Sequence, residues 1–271
     1  MKIQFIHITD THLNAPGREF LKVSMADKLK QIFEHVRMSK LAPAFVVITG
    51  DLAHEGIAED YQYIRKLVNE GSDIVGAPVH VTLGNHDHRS AFREGYLGEE
   101  PSEQAYYYST TINGLRLIAL NSQVPGKHSG TVDEEQLAWL AEELTSSAPN
   151  GTIVALHHPL LNFSGMPSEH IITNAPAIGD ILKTGDDVVC IVAGHVHTNN
   201  VGLYEGIVSV AAAGSAFAGE STEDGQFRMY DFCSYNIVTV SNKNVTVQTV
   251  VLPTTNVEYA RFDMSILTTQ H

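Results

Sequence analysis

Five short segments carry the side-chain types that hold divalent metal ions: Asp10-Thr11-His12, Gly50-Asp51, Gly84-Asn85-His86-Asp87, His157-His158-Pro159 and Gly194-His195-Val196-His197. Their donors are imidazoles, carboxylates and an amide oxygen, with no thiolate. That set suits borderline and hard ions such as Zn, Mn, Fe or Co, and speaks against a structural zinc site built on cysteine. Asp10, His12, Asp51, Asn85, His157, His195 and His197 are too many for one tetrahedral ion. They suffice for two ions that share a ligand, an arrangement that clamps the attacking and leaving oxygens of a displacement with the ions about 3.5–4 Å apart. Each segment alone has an ordinary explanation: a strand-end Asp caps a helix, Asn after Gly makes a turn, and His beside Pro is often only a packed ring. Their joint placement, each directly after an apolar run, makes the metal reading the stronger one.

Those runs are short and rich in β-branched residues, at 2–8, 45–49, 79–82, 152–156 and 188–193, with another at 115–120; they have the character of buried strands. The donors stand just beyond the carboxyl ends of these strands, where α/β sheets place their ligands. In an extended chain residues two apart face the same way, so Asp10 and His12 are expected to converge. Between the strands, Met25, Leu29, Ile32, Phe33 and Val36 repeat with helical spacing, as do Tyr61, Ile64, Leu67 and Val68, with Gly71 expected to end that helix. Asp133 and Gln136 form a capping-box pattern ahead of Leu137, Leu140, Ala141 and Leu144. Beyond residue 200 the helical period fades, and 207–211, 235–240 and 245–251 read as strands separated by turns. The expected class is α/β, with a second sheet packed on the first. One domain over 1–251 is expected, followed by a periodless C-terminal tail, 252–271, available for homo-oligomer contacts.

A chain of 271 residues buries roughly three quarters of its unfolded surface and needs no staples. Its 17 Lys and Arg against 31 Asp and Glu leave a formal charge of −14, which works against polymeric nucleic acid and anionic membranes as partners. No apolar run approaches the ~18 residues of a membrane span. The first ten residues are too polar for a secretory signal, and Cys190 and Cys233 are too few for a disulfide framework. A cytoplasmic location is expected.

Taken in order, the five segments resemble the calcineurin-like metallophosphoesterase family, over residues 8–197 and with every motif intact. The resemblance implies a four-layer sandwich of two mixed β-sheets flanked by α-helices. By the same resemblance Asp10, His12 and His197 would hold a first ion, Asp51 would bridge, and Asn85, His157 and His195 would hold a second. His86 would face the phosphate, where an imidazolium protonates or stabilises the leaving oxygen, and Asp87 is expected either to orient it or to form a surface salt bridge. The implied reaction is phosphoester hydrolysis by a metal-bound hydroxide, the pKa of water falling from about 15.7 towards about 7. No Gly-x-Ser-x-Gly elbow offers a competing nucleophile.

A narrower resemblance covers residues 117–144. There Asn121-Ser122-x-x-Pro125-Gly126, Gly130-Thr131-Val132 and Gln136-Leu137-Ala138-Trp139-Leu140 are similar to the class III cyclic-nucleotide phosphodiesterases and glycerophosphodiesterases, which usually have Asp where Asn121 stands. It implies a small phosphodiester substrate. Two divalent ions, two carboxylates and a hydroxide sum to about +1, a match for a diester monoanion. Phosphoprotein phosphatases of the superfamily add arginines where this chain has Glu55 and Leu83, leaving Arg89 and Arg93 as candidate phosphate clamps. His54, His128, Asn162 and His170 are loop candidates for the pocket, His158 is a supporting or structural residue, and Trp139 and Leu140 are packing residues. Two alternatives stand beside the diesterase reading: a phosphomonoesterase or phosphoprotein phosphatase on the same site, and a non-catalytic scaffold, which predicts broken motifs.

Overall fold

Alternation along the first strand sets the layering. In β1 (Lys2–Ile8), Ile3 and Phe5 point to one face and join Leu117, Ile153 and Val192 in a core between two sheets. Ile6 and Ile8 point to the other and pack under helices with Leu29, Ile32, Ile64 and Leu67. The strand is buried on both sides over its last four residues, 5–8. The computed structural model describes residues 1–18, 20–21, 23–163, 171–222 and 224–263.

The first sheet places β1 beside β2 (Val46–Thr49) and β3 (Val79–Thr82), all parallel. On its other side lie β12 (Ser234–Ser241) and β13 (Asn244–Val251), antiparallel, in the order β13-β12-β1-β2-β3. The second sheet contains β4 (Tyr108–Ile112), β5 (Leu115–Ala119), β6 (Thr152–Ala155), β7 (Val188–Ala193), β8 (Asn200–Tyr204) and β9 (Ile207–Ala211). Its order is β4-β5-β6-β7-β9-β8, with β5, β6, β7 and β9 parallel.

Helices α1 (Met25–Met38) and α2 (Ala58–Val75) cover the first sheet. A short α3 (Arg89–Phe92) runs into a π-helical turn, Arg93–Leu97. Helices α4 (Glu134–Glu143) and α5 (Ala175–Leu182) cover the second sheet, so the four-layer order is present. The Ser24 side chain caps α1 and Asp133 caps α4, each accepting the N–H three residues on. Gly71 does not end α2, which continues to Gly76. Its lack of a side chain serves packing instead: a Cβ there would lie 2.2 Å from the Phe33 ring of α1.

A third, antiparallel sheet was not expected: β10 (Phe217–Ser221), β11 (Gln226–Asp231) and β14 (Glu258–Asp263), in the order β10-β11-β14. The stretch from residue 252, read from sequence as a tail, thus contributes a strand, and Leu252 N–H donates to the Cys233 carbonyl. Both cysteines are buried and unpaired with each other, and burial pushes their thiols up, Cys190 to about 12 and Cys233 to about 11. No helix among the described residues is long and apolar enough to cross a membrane.

Candidate metal centre

The carboxyl ends of β1, β2 and β3 in one sheet and of β6 and β7 in the other meet at one place. Asp10, Asp51, Asn85, His157, His195 and His197 all leave these ends within a few residues, and His12 follows Asp10. The ligand atoms of Asp10, His12 and His197 lie within 4.8 Å of one another, and so do those of Asp10, Asp51 and His157. Asn85 Oδ1 closes the group, 3.1 Å from His157 Nε2 and 2.9 Å from His195 Nδ1.

The convergence does not come from strand alternation, as the spacing of Asp10 and His12 suggested. β1 has ended at Ile8, and Asp10 and His12 have φ of 51° and 43°. Asp51, His195 and His197 are left-handed too, at 47°, 70° and 52°. Such backbone costs an L-residue about 1–3 kcal/mol and persists where the surroundings over-determine it. Here backbone bonds between neighbouring loops do so: Asp10 N–H to Gly50 O at 3.2 Å, His12 N–H to Asp51 O at 2.9 Å, and Ala216 N–H to Asp10 O at 3.2 Å. Gly84 belongs to the same constraint, since a Cβ there would sit 2.3 Å from Asp51 Oδ1 and 2.4 Å from its backbone nitrogen.

Tautomers are set by backbone acceptors. His157 Nδ1 lies 2.8 Å from the Thr49 carbonyl and His197 Nδ1 lies 3.0 Å from the Phe217 carbonyl, so each Nδ1 carries the hydrogen and each Nε2 presents a lone pair inward. These lone pairs face other acceptors. His157 Nε2 is 3.4 Å from Asp51 Oδ2, and His197 Nε2 is 3.4 Å from both Asp10 Oδ1 and His12 Nε2. Asp10 Oδ2 accepts from Thr9 Oγ1 and His195 N–H, while the buried Oδ1 has no hydrogen-bond donor. Acceptors gathered with no hydrogen between them are what a cation requires, so the residues fit divalent ions. Burial pushes His157 down, yet the charge and hydrogen bond of Asp51 raise it to about 9. The same negative charge favours a cation at Nε2. Burial pushes Asp51 up, and His157, His86 and His12 overcome this and hold it well below the ordinary carboxylate range.

Asp51 occupies the middle. Its Oδ2 is 3.4 Å from His157 Nε2 and 3.7 Å from His12 Nε2, reaching both halves of the group, while Oδ1 accepts the His86 N–H at 2.9 Å. His86 is half-buried at the rim, its Nδ1 3.2 Å from the His54 carbonyl. Asp87 neither orients His86 nor forms a surface salt bridge. It is buried and accepts from Leu52, Ala53 and Gly84 N–H and from the Tyr61 hydroxyl, tying the loop after β2 to the loop after β3. Burial and the Asp51 charge push its carboxyl up, to about 6, against those backbone donors.

The remaining histidines separate by contact. His158 is fully buried with Nδ1 2.8 Å from Ser122 Oγ and Nε2 3.0 Å from the His128 carbonyl, so both nitrogens are committed to holding the loop around residue 128. Burial and then His157 lower it to about 3. His128 Nδ1 lies 3.4 Å from Asn85 Nδ2, beside the amide whose oxygen faces the centre. His54 stands beside His12, Asn162 is exposed, and His170 lies outside the described residues. Arg89 donates to Asn121, to the Gln123 side chain and carbonyl, and to the Glu103 carbonyl. Arg93 is paired with Glu99 at 2.6 Å. Both candidate clamps are thus committed to protein acceptors. Phe217 was not anticipated: its ring stacks on His197 at 4.1 Å and its carbonyl fixes the His197 tautomer. It belongs to the third sheet and carries no motif that announces the contact.

Comparison with known proteins identifies relatives of this chain. The chain is 40% identical over 211 residues to a cAMP/cGMP dual specificity phosphodiesterase of Mycobacterium tuberculosis, a match covering 77% of this chain and 66% of that protein. It is 35% identical over 210 residues to a probable cyclic nucleotide phosphodiesterase of Rhodococcus erythropolis, covering 77% and 69%. The chain thus spans about two thirds of the length of these relatives. Its fold matches the crystal structure of a dimetal phosphatase from Danio rerio with a TM-score of 0.58 at 15% identity, over 92% of this chain and 98% of that one. With the calcineurin-like phosphoesterase model matching residues 3–199, from the first strand through the last candidate ligand, the chain belongs to that family.

Proposed function

We propose that this protein is a binuclear metal-dependent phosphodiesterase acting on small diesters of the 3′,5′-cyclic-nucleotide or glycerophosphodiester type. Asp10, His12 and His197 would hold one divalent ion and Asn85, His157 and His195 the other, with Asp51 placed to serve both. The observation that carries this reading is Asp51 Oδ2, a single carboxylate oxygen reaching toward His12 on one side and His157 on the other. When bound, two divalent ions supply Lewis acidity at phosphorus and a nucleophile at neutral pH. The chain contributes placement: Thr49 and Phe217 carbonyls turn the imidazole lone pairs inward, and Asp87 locks the loops that carry Asp51 and Asn85. His86 delivers the proton. With Nδ1 committed to the His54 carbonyl, it donates to a leaving oxygen from Nε2 as an imidazolium.

The preference for diesters is supported by what the arginines do. A monoester dianion calls for an added clamp, and guanidinium is the group shaped for it. Arg89 and Arg93 are occupied, Leu83 is buried, and Glu55 is itself paired with Arg18 at 2.8 Å. Metal analysis of purified protein followed by kcat/KM on 3′,5′-cyclic AMP, a glycerophosphodiester and an aryl phosphomonoester tests the reading. Two divalent ions per chain with a diester favoured is the expected result. A monoester exceeding every diester with the same leaving group would move the assignment to a monoesterase, and metal retention without any turnover would make it a scaffold.

A further inference from the structure

We propose that His54 is a positioning residue for the centre, its imidazole fixing the tautomer of His12 while its carbonyl fixes that of His86. His54 lies in the loop after β2, three residues beyond Asp51, and its Nδ1 is 3.3 Å from His12 Nδ1. Two ring nitrogens at that distance share one hydrogen, so one donates and the other accepts. With a metal at His12 Nε2, which faces Asp51 Oδ2 at 3.7 Å and His197 Nε2 at 3.4 Å, His12 would be the donor at Nδ1. His54 is then the acceptor at Nδ1 and carries its own hydrogen on Nε2.

The His54 ring is held in this orientation from both faces. Phe20 stacks on one side with ring centroids 3.6 Å apart and planes 22° apart, and His86 stacks at 5.1 Å and 21°. The backbone is held as well, since His54 N–H donates to the Leu13 carbonyl at 3.2 Å and to Asn14 Oδ1 at 3.3 Å. Its carbonyl in turn accepts from His86 Nδ1 at 3.2 Å. One residue thereby couples the orientation of a proposed ligand to that of the proposed acid. Outer partners of metal-bound histidines commonly carry about 10–100-fold in metal affinity, and a neutral imidazole acceptor supplies that role here.

The proposal rests on the metal-centre reading, and two measurements separate the failure of one from that of the other. The first is the His54 tautomer in Zn2+-loaded wild-type protein, read from long-range 15N–1H correlation spectra; an Nε2–H ring with Nδ1 accepting is expected, and an Nδ1–H ring overturns the proposal. The second compares Mn2+ binding to wild type, His54→Phe and His54→Asn by titration followed by EPR. Phe keeps a flat ring between Phe20 and His86 and keeps the carbonyl, but removes the acceptor; Asn restores an acceptor near the Nδ1 position. Expected is a loss of about 10–100-fold at one ion for His54→Phe, with the other ion within about threefold, and rescue to within about threefold by His54→Asn. Equal binding by wild type and His54→Phe, or an Asn variant as weak as Phe, overturns the proposal. Wild-type protein that binds no Mn2+ sinks the metal reading and this proposal with it, whereas wild-type binding matched by His54→Phe sinks this proposal alone. If His54→Phe does not fold, the Asn variant and the wild-type tautomer decide it.

Discussion

Asp51 and His86 sit next to each other and are expected to fail differently. The two oxygens of Asp51 divide their roles, since Oδ2 spans the centre and Oδ1 holds the His86 backbone. Asp51→Ala is therefore expected to lower the content of both ions, whereas His12→Ala lowers one; elemental analysis of the two variants reads the difference. Retention of two ions by Asp51→Ala would remove the bridge. His86→Ala is expected to keep both ions and lose on the order of 10²-fold in kcat, the usual size of an acid contribution. The loss should shrink for leaving groups of low pKa, which need no proton. Equal losses with nitrophenolate and alkoxide leaving groups would show that His86 positions and does not protonate.

At the scale of elements, the centre is made by the loops that end strands. Their left-handed residues bend each chain end inward, and Asp87 joins two of the loops. Gly84 makes the close approach of these loops possible, with Asp51 backbone and side chain both inside 2.5 Å of an added Cβ. Because the clash is with backbone, no rotamer change relieves it. Gly84→Ala is expected to displace Asp51 and cost about 10²-fold or more in kcat/KM, the scale of a 1 Å misplacement, together with metal content. Gly76→Ala is the comparison: that glycine caps α2 at φ 72° with nothing within 4 Å of a Cβ. It should cost about 1 kcal/mol of stability and leave metal content unchanged. Equal metal loss in both variants would mean that general destabilisation, and not the contact with Asp51, is responsible.

The whole molecule is tied together by a buried charge away from the centre. Lys28 of α1 lies 2.6 Å from Asp231 at the end of β11 and donates to the Ala216 and Phe232 carbonyls. Asp231 also accepts from Thr255 and from the Tyr259 hydroxyl of β14, joining the third sheet and residues 252–263 to the helical layer. Burial pushes the Asp231 carboxyl up, but the bonds from Lys28, Thr255 and Tyr259 overcome it and hold the group well below the ordinary range. A carboxyl depressed in the folded state stabilises fully above its unfolded pKa of about 3.9 and loses that contribution as pH falls through the folded value. Asp231→Asn is expected to cost about 3 kcal/mol at neutral pH, the lower range for breaking a buried pair. The difference in Tm from wild type should hold between pH 7 and about 5 and narrow below about 4. A difference constant down to about pH 2, below the unfolded pKa, would mean that the charge on Asp231 contributes nothing.

The sequence by itself determined the parts whose signal is local. β1, β3, β7 and β9 fall on the expected residues, because short runs rich in β-branched residues and bounded by turn residues announce strands locally. The donor types at strand ends were equally legible, since ligand chemistry is a matter of residue identity. What needed long-range contact stayed hidden. β11 and β14 bury less of their surface, and with β10 they pair only among themselves, so the stretch from 252 had no period to read. Gly71 reads as a helix stop from its own preferences, but the neighbouring Phe33 ring overrides them. Asp87 reads as a surface charge, but four donors from three segments hold it in the interior. The left-handed turns at Asp10, His12, Asp51, His195 and His197 were decided only by tertiary structure. Each conformation is unfavourable locally, and hydrogen bonds and packing from other segments of the chain hold it in place.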